Sequence, residues 1–117
     1  MRNFKELRIW KKGFEIALNS FKMIQNFPAI EKFGLSHQIS KAAVSIPSNI
    51  AEGSSRSSDK DYNRFLEISL GSSFELETQV LLADALIYGD QILRSKILVD
   101  LNDEQKMLIG FMKTLDN

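Results

Sequence analysis

Residues 35–53 read LSHQISKAAVSIPSNIAEG. Leu35, Ile39, Ala42, Ala43, Ile46 and Ile50 recur at steps of one, three and four, the spacing of a helix with one buried face. Gly34 breaks the chain before them, Ser36 stands where it can cap the start, and Gly53 stands as a stop residue beyond the end. Pro47 falls inside the pattern, where it removes one backbone donor and predicts a bend. Ala42, Ala43 and Ser45 leave one side of this helix bare, so it calls for a neighbour whose backbone comes close.

The segment that follows supplies such a neighbour. A polar loop, SSRSS at 54–58, leads to Ser57 or Ser58 as a cap, with Asp59 and Asp61 in the first turn where the helix dipole favours acids. The core face then reads Tyr62, Phe65/Leu66, Ser69, Ser72/Ser73, Leu76, Val80, Ala83 and Ile87, and Gly89 closes a helix running to about Tyr88. Gly71, Ser72 and Ser73 match the small residues of the preceding helix, and the short loop predicts a hairpin. Upstream, a helix is predicted from Phe4 to Asn26, opened by a capping box of Asn3 and Glu6 and closed by Phe27-Pro28. Leu7, Trp10, Phe14, Ala17, Phe21 and Ile24 form its heptad seam, taken as the core face. Downstream, a fourth helix runs from about Asp90 to Leu115 through Ile97, Leu101, Leu108, Met112 and Leu115, with Asn102-Asp103 the place where a break would fall. No strand alternation persists and no Asn-Gly or Asp-Gly hairpin turn occurs. The expected fold is all-α: an antiparallel up-down-up-down four-helix bundle, residues 1–117 forming one domain.

Composition narrows the function classes. Hydrophobic residues make up 44% and charged residues 26%, an ordinary globular balance. Without cysteine there is no disulfide and no thiolate metal site. The N-terminal stretch has no apolar signal core, and the longest apolar run, Val80 to Tyr88, holds Asp84 and is too short for a bilayer. A soluble, cytoplasmic protein without a membrane role is expected. Fifteen bases balance fifteen acids, which argues against tight non-specific nucleic-acid binding by a monomer. The charges are segregated: residues 1–32 hold seven bases and three acids, and residues 59–89 hold two bases and six acids.

The chain carries few constellations that point to chemistry. A di-metal bundle needs Glu-x-x-His repeats, but the sole histidine, His37, has Gly34 three residues before it. Gly53 to Ser58 lacks the second glycine and the lysine of a phosphate loop. Glu52 and Glu75 could face each other as an acid/base pair; the structural alternative is a polar cluster of Asn49, Glu52, Ser72 and Glu75 at the hairpin contact. No cofactor, no metal and no catalysis are expected.

Two helices carry a second apolar stripe. With the aromatic seam of the first helix inward, Ile9, Ile16 and Met23 fall outside it, flanked by Gly13 and Ser20. On the third helix, Leu70, Phe74, Leu81 and Tyr88 lie about a quarter-turn from the core face, bordered by Glu67, Glu77 and Asp84. A monomeric bundle needs one stripe per helix. The surplus predicts a homo-oligomer in which the first stripe meets the second on a neighbouring copy. Because the two patches differ, such a contact closes into a ring or runs on as a filament.

The stretches FKELRIW at 4–10, Phe27-Pro28 with EKFGL at 31–35, QISKAA at 38–43, SIPSNIAEG at 45–53 and GSSFELE at 71–77 resemble the four-helix-bundle family encoded in 23S ribosomal RNA intervening sequences, also labelled S23 ribosomal protein. They are similar too to the accessory variability protein of diversity-generating retroelements. The resemblance spans nearly the whole chain. It implies a five-membered ring and association with RNA, or with a reverse transcriptase in the retroelement branch. On that reading Lys5, Arg8 and Lys12 are the first candidates to contact RNA, with Lys41 and Arg56 secondary. A pure scaffold without a nucleic-acid role is the alternative, and an enzyme using Glu52 and Glu75 is a third.

Overall fold

A computed structural model describes residues 3–116. Four helices, α1 (Arg8–Ile24), α2 (Leu35–Ser54), α3 (Asp59–Ala85) and α4 (Gln91–Thr114), form an all-α, antiparallel four-helix bundle, with no strand among the described residues. Each helix packs on the one before it, and α4 closes the square against α1. The bundle measures 45 × 23 × 20 Å.

The α2–α3 hairpin is the tightest contact, as the small residues require. Ser45 and Ser72 hydroxyls lie 2.7 Å apart, and the Ser69 hydroxyl donates to the Ile46 carbonyl at 2.9 Å. That carbonyl accepts the Ser69 bond where Ile50 would otherwise be its only helical partner, so a buried polar group crosses the helix contact fully satisfied. Gly71 faces open space and plays no part in the approach. Gly53 does not end α2. It lies inside the last turn, where a Cβ would come within 2.8 Å of Phe65 Cβ and 3.0 Å of Tyr62 Cδ1. Pro47 is accommodated within the helix and buried.

Several helix ends differ from the sequence expectation. Phe4–Glu6 is a separate 3-10 turn capped by Asn3 Oδ1, and extended Leu7 divides it from α1. This break brings the Phe4 ring edge-on to Trp10 at 5.3 Å. The start of α2 is capped by Glu31 Oε1, which accepts from Leu35 N–H at 3.1 Å, rather than by Ser36. Ser58 caps α3 and Asp90 caps α4, each accepting a backbone N–H. α3 stops at Ala85, earlier than the expected Tyr88, and Ile87 adopts a left-handed φ of 58°. α4 runs unbroken through Asn102-Asp103.

Candidate self-association surface

The largest correction concerns the rotation of α1. Ile9, Ile16 and Met23, expected at an oligomer interface, are buried in the monomer core with Gly13 and Ser20. Phe14 and Phe21, expected in the core, are turned outward, and Trp10 is half-buried at the edge. Close approach explains the choice. A Cβ on residue 13 would lie 2.9 Å from Glu104 Oε2 and 3.1 Å from Ile46 Cγ2, so the bare glycine lets α1 settle against both α2 and α4 without displacing either side chain. Ser20 satisfies its hydroxyl on the Ile16 carbonyl at 2.8 Å and adds no bulk. The slim stripe therefore faces inward and the aromatic stripe remains outside.

A second apolar face on α1 exists, then, but it is the aromatic one. Phe14, Leu18 and Phe21, between 39% and 49% exposed, line an open groove of about 400 Å³ with Trp10, Ala17, Val44, Pro47, Ser48 and Ala51. Pro47 and its neighbours on α2 thus form half of the groove floor. Across the bundle, Phe74 and Leu81 of α3 are 48% and 51% exposed, and Ile109 of α4 is also outward. Leu70 and Tyr88, placed on the same stripe from sequence, are partly buried against the core. The Tyr88 hydroxyl donates to Glu31 Oε2 at 3.2 Å and its ring packs on Phe27. Burial and that carboxylate push the Tyr88 hydroxyl pKa up. Because the helices follow one another round a square, the α1/α2 groove and the α3/α4 strip occupy opposite flanks. By helical spacing, exposed Lys11 and Lys22 border the groove and exposed Glu67 borders the strip.

The basic candidates separate into two groups. Lys5, Arg8 and Lys41 are exposed. Lys12 is engaged instead in an ion pair with buried Asp100 at 3.4 Å, and Arg56 pairs with Glu52 at 2.8 Å while stacking over the Phe65 ring. Asp100 also holds Lys96, which reaches Glu15 on α1 as well; these bonds, Asp100 first, raise the Lys96 pKa. The expected polar cluster divides in the same way. Asn49 donates to both oxygens of Ser45, which meets Ser72, but Glu52 turns to Arg56. Glu75 lies toward the other end of the hairpin, in a polar groove with His37, Gln38 and Lys41. Glu52 and Glu75 are separated along the bundle by roughly ten residues of helix, about 15 Å at 1.5 Å per residue, so they form no acid/base pair.

One functional-type residue escaped the sequence reading. Glu104 is completely buried at the α1–α4 contact, and neither carboxylate oxygen has a hydrogen-bond partner. Burial pushes its pKa up to about 8; Lys12 opposes the rise and Asp100 adds to it. The signal was available: Ile97, Leu101, Glu104 and Leu108 keep a four-three-four spacing, which sets an acid in a core position. No group of three or more His, Asp or Glu among the described residues is placed to hold a metal ion, and no described helix is long and apolar enough to cross a membrane.

These features define an antiparallel four-helix bundle with an exposed apolar patch on each of two opposed flanks. The chain belongs to the 23S rRNA-intervening sequence protein family, whose sequence profile matches residues 5–110. It is similar to a solved structure from Bacteroides thetaiotaomicron, described as a protein with unknown function from the S23 ribosomal protein family. The two share 27% identity with a TM-score of 0.79, over 90% of this chain and 98% of that one. No curated protein matches the sequence.

Proposed function

We propose that this protein is a non-catalytic, homo-oligomeric interaction module, a ring in which the α1/α2 groove of each copy receives the α3/α4 strip of the next. The observation that carries this reading is the pair of apolar flanks on opposite sides of one small bundle. Two unlike patches make a heterologous contact, which consumes both faces of every subunit only when the assembly closes or runs on. Lysines beside the groove and Glu67 beside the strip add a match of sign. A ring of five is the size suggested by the family resemblance. The test is Leu18→Glu: the side chain is already half-exposed, so the bundle keeps its helicity while the buried charge splits the contact. Unchanged mass in this variant would refute the groove as the interface.

The assembled ring is read as a platform for RNA or for a protein partner such as a reverse transcriptase. Exposed Lys5 and Arg8 favour the RNA arm, since they lie at the same end of every subunit and a ring repeats them. Salt-dependent RNA retention separates this arm from a pure scaffold.

A further inference from the structure

The four most exposed large apolar side chains of the described chain are Ile30, Phe33, Ile87 and Ile92, at 79–86%. None lies on the two flanks. Ile30 and Phe33 belong to the α1–α2 connection, Ile87 to the α3–α4 connection, and Ile92 to the first turn of α4. In an antiparallel bundle both connections fall at one end, and Phe27–Tyr88 packing with the Tyr88–Glu31 hydrogen bond ties them together. The opposite end, at residues 54–60, is a polar serine-rich loop.

Ile87 sharpens the anomaly. Ile87 N–H bonds to the Asp84 carbonyl and Tyr88 N–H to the Ala83 carbonyl, the helix-ending motif whose left-handed residue is usually glycine. A β-branched residue at φ 58° is strained. Its side chain is 80% exposed, so packing within the monomer does not compensate. Bulk kept where the backbone disfavours it points to a contact outside the chain.

We propose that this tip binds a second copy of itself, so that two rings stack tip to tip through their apolar faces; the inference rests on the ring reading above. Area and charge select this occupant. Across its end the backbone of the bundle spans 23 × 20 Å. Two single chains meeting end to end would bury on the order of 900 Å² in all, below the roughly 1,200 Å² of stable interfaces. A ring presents several tips on one face, so the joined area is several-fold larger and every tip acts at high effective concentration. The exposed charges at the rim are of both signs, Lys32 and Asp90, and a two-fold axis can set one against the other. A polyanion or an acidic lipid surface would call for a basic rim instead.

The experiment is the mass of wild type, Phe33→Asp and Ile87→Gly by light scattering over a range of concentrations, with thermal unfolding on each. Wild type is expected at twice the ring mass, and both variants at the single ring mass. Ile87→Gly should at the same time melt a few degrees higher, since it relaxes the left-handed turn; a merely structural role for Ile87 would not split the assembly. A wild-type ring that stays single assigns the tip to another occupant and overturns the stacking alone. A double ring that survives both substitutions overturns it too. A wild-type monomer overturns the lateral contact, and the stacking with it.

Discussion

Replacing Glu104 with glutamine should remove most of the pH dependence of folding. In the folded chain this carboxyl sits at about 8, against an ordinary value of 4.5. The folded state therefore holds the proton more tightly than the unfolded state, a difference worth on the order of 4–5 kcal/mol. The sign follows directly. Stability is greatest below the unfolded value, declines as pH rises from about 4.5 toward 8, and levels off above it. Water entry and relaxation around the charged form reduce the loss, so a fall of about 2 kcal/mol or more is expected, a large share of a small domain's total. The assay is urea unfolding at pH 5 and pH 9 for wild type and Glu104→Gln. Wild type should weaken markedly between the two, and the variant should change little. Lys12 and Asp100 remain in both proteins, so the difference isolates position 104. Parallel curves would refute the account of a neutral buried acid between α1 and α4.

Other substitutions test the rotation of α1 and the basic surface. Gly13→Ala should cost about 1–3 kcal/mol in urea unfolding, because the methyl meets Glu104 and Ile46; an unchanged midpoint would mean that α1 stands further off. Ile16→Ala should cost about 2–5 kcal/mol as a core truncation, whereas Phe14→Ala should cost the isolated chain less than about 1 kcal/mol. The reverse order would restore the aromatic seam to the core. Lys5→Glu with Arg8→Glu should flatten the salt dependence of RNA retention on filters, since phosphate contacts release counterions; retention unchanged from wild type would remove these residues from any RNA surface.

Helix number, order and the tight hairpin were legible in the sequence because α2 and α4 each present one continuous core stripe and the core face of α3, unlike its second stripe, runs the length of the helix from Tyr62 to Ala83. α1 was not, because it carries two stripes and hydrophobicity alone ranks the aromatic one higher. What decides is which stripe permits close approach, and Gly13 and Ser20 marked the slim one without a partner distance to weigh them. Gly53 misled for a related reason. A glycine near a helix end serves equally as a terminator and as a contact point, and only the nearness of Phe65 and Tyr62 distinguishes the two. The opposed flanks were half legible: the α3 stripe was identified, but Leu70 and Tyr88 on it pack inward. Lys12 and Arg56 read as available charges, and their partners Asp100 and Glu52 come from long-range packing and from one helical turn respectively. Ile87 at a glycine position could not be seen until the end of α3 was located.

The ring is tested most directly by sedimentation equilibrium on wild type, Leu18→Glu, Phe74→Glu and an equimolar mixture of the two variants. Each variant retains one intact face, so a heterologous contact makes a distinctive pattern. Wild type should sediment as a closed multiple of the 13.3 kDa chain. Each variant alone should sediment as a monomer, and the mixture as a one-to-one dimer that grows no further. A wild-type monomer, or a variant that keeps the wild-type mass, would contradict the pairing of the α1/α2 groove with the α3/α4 strip.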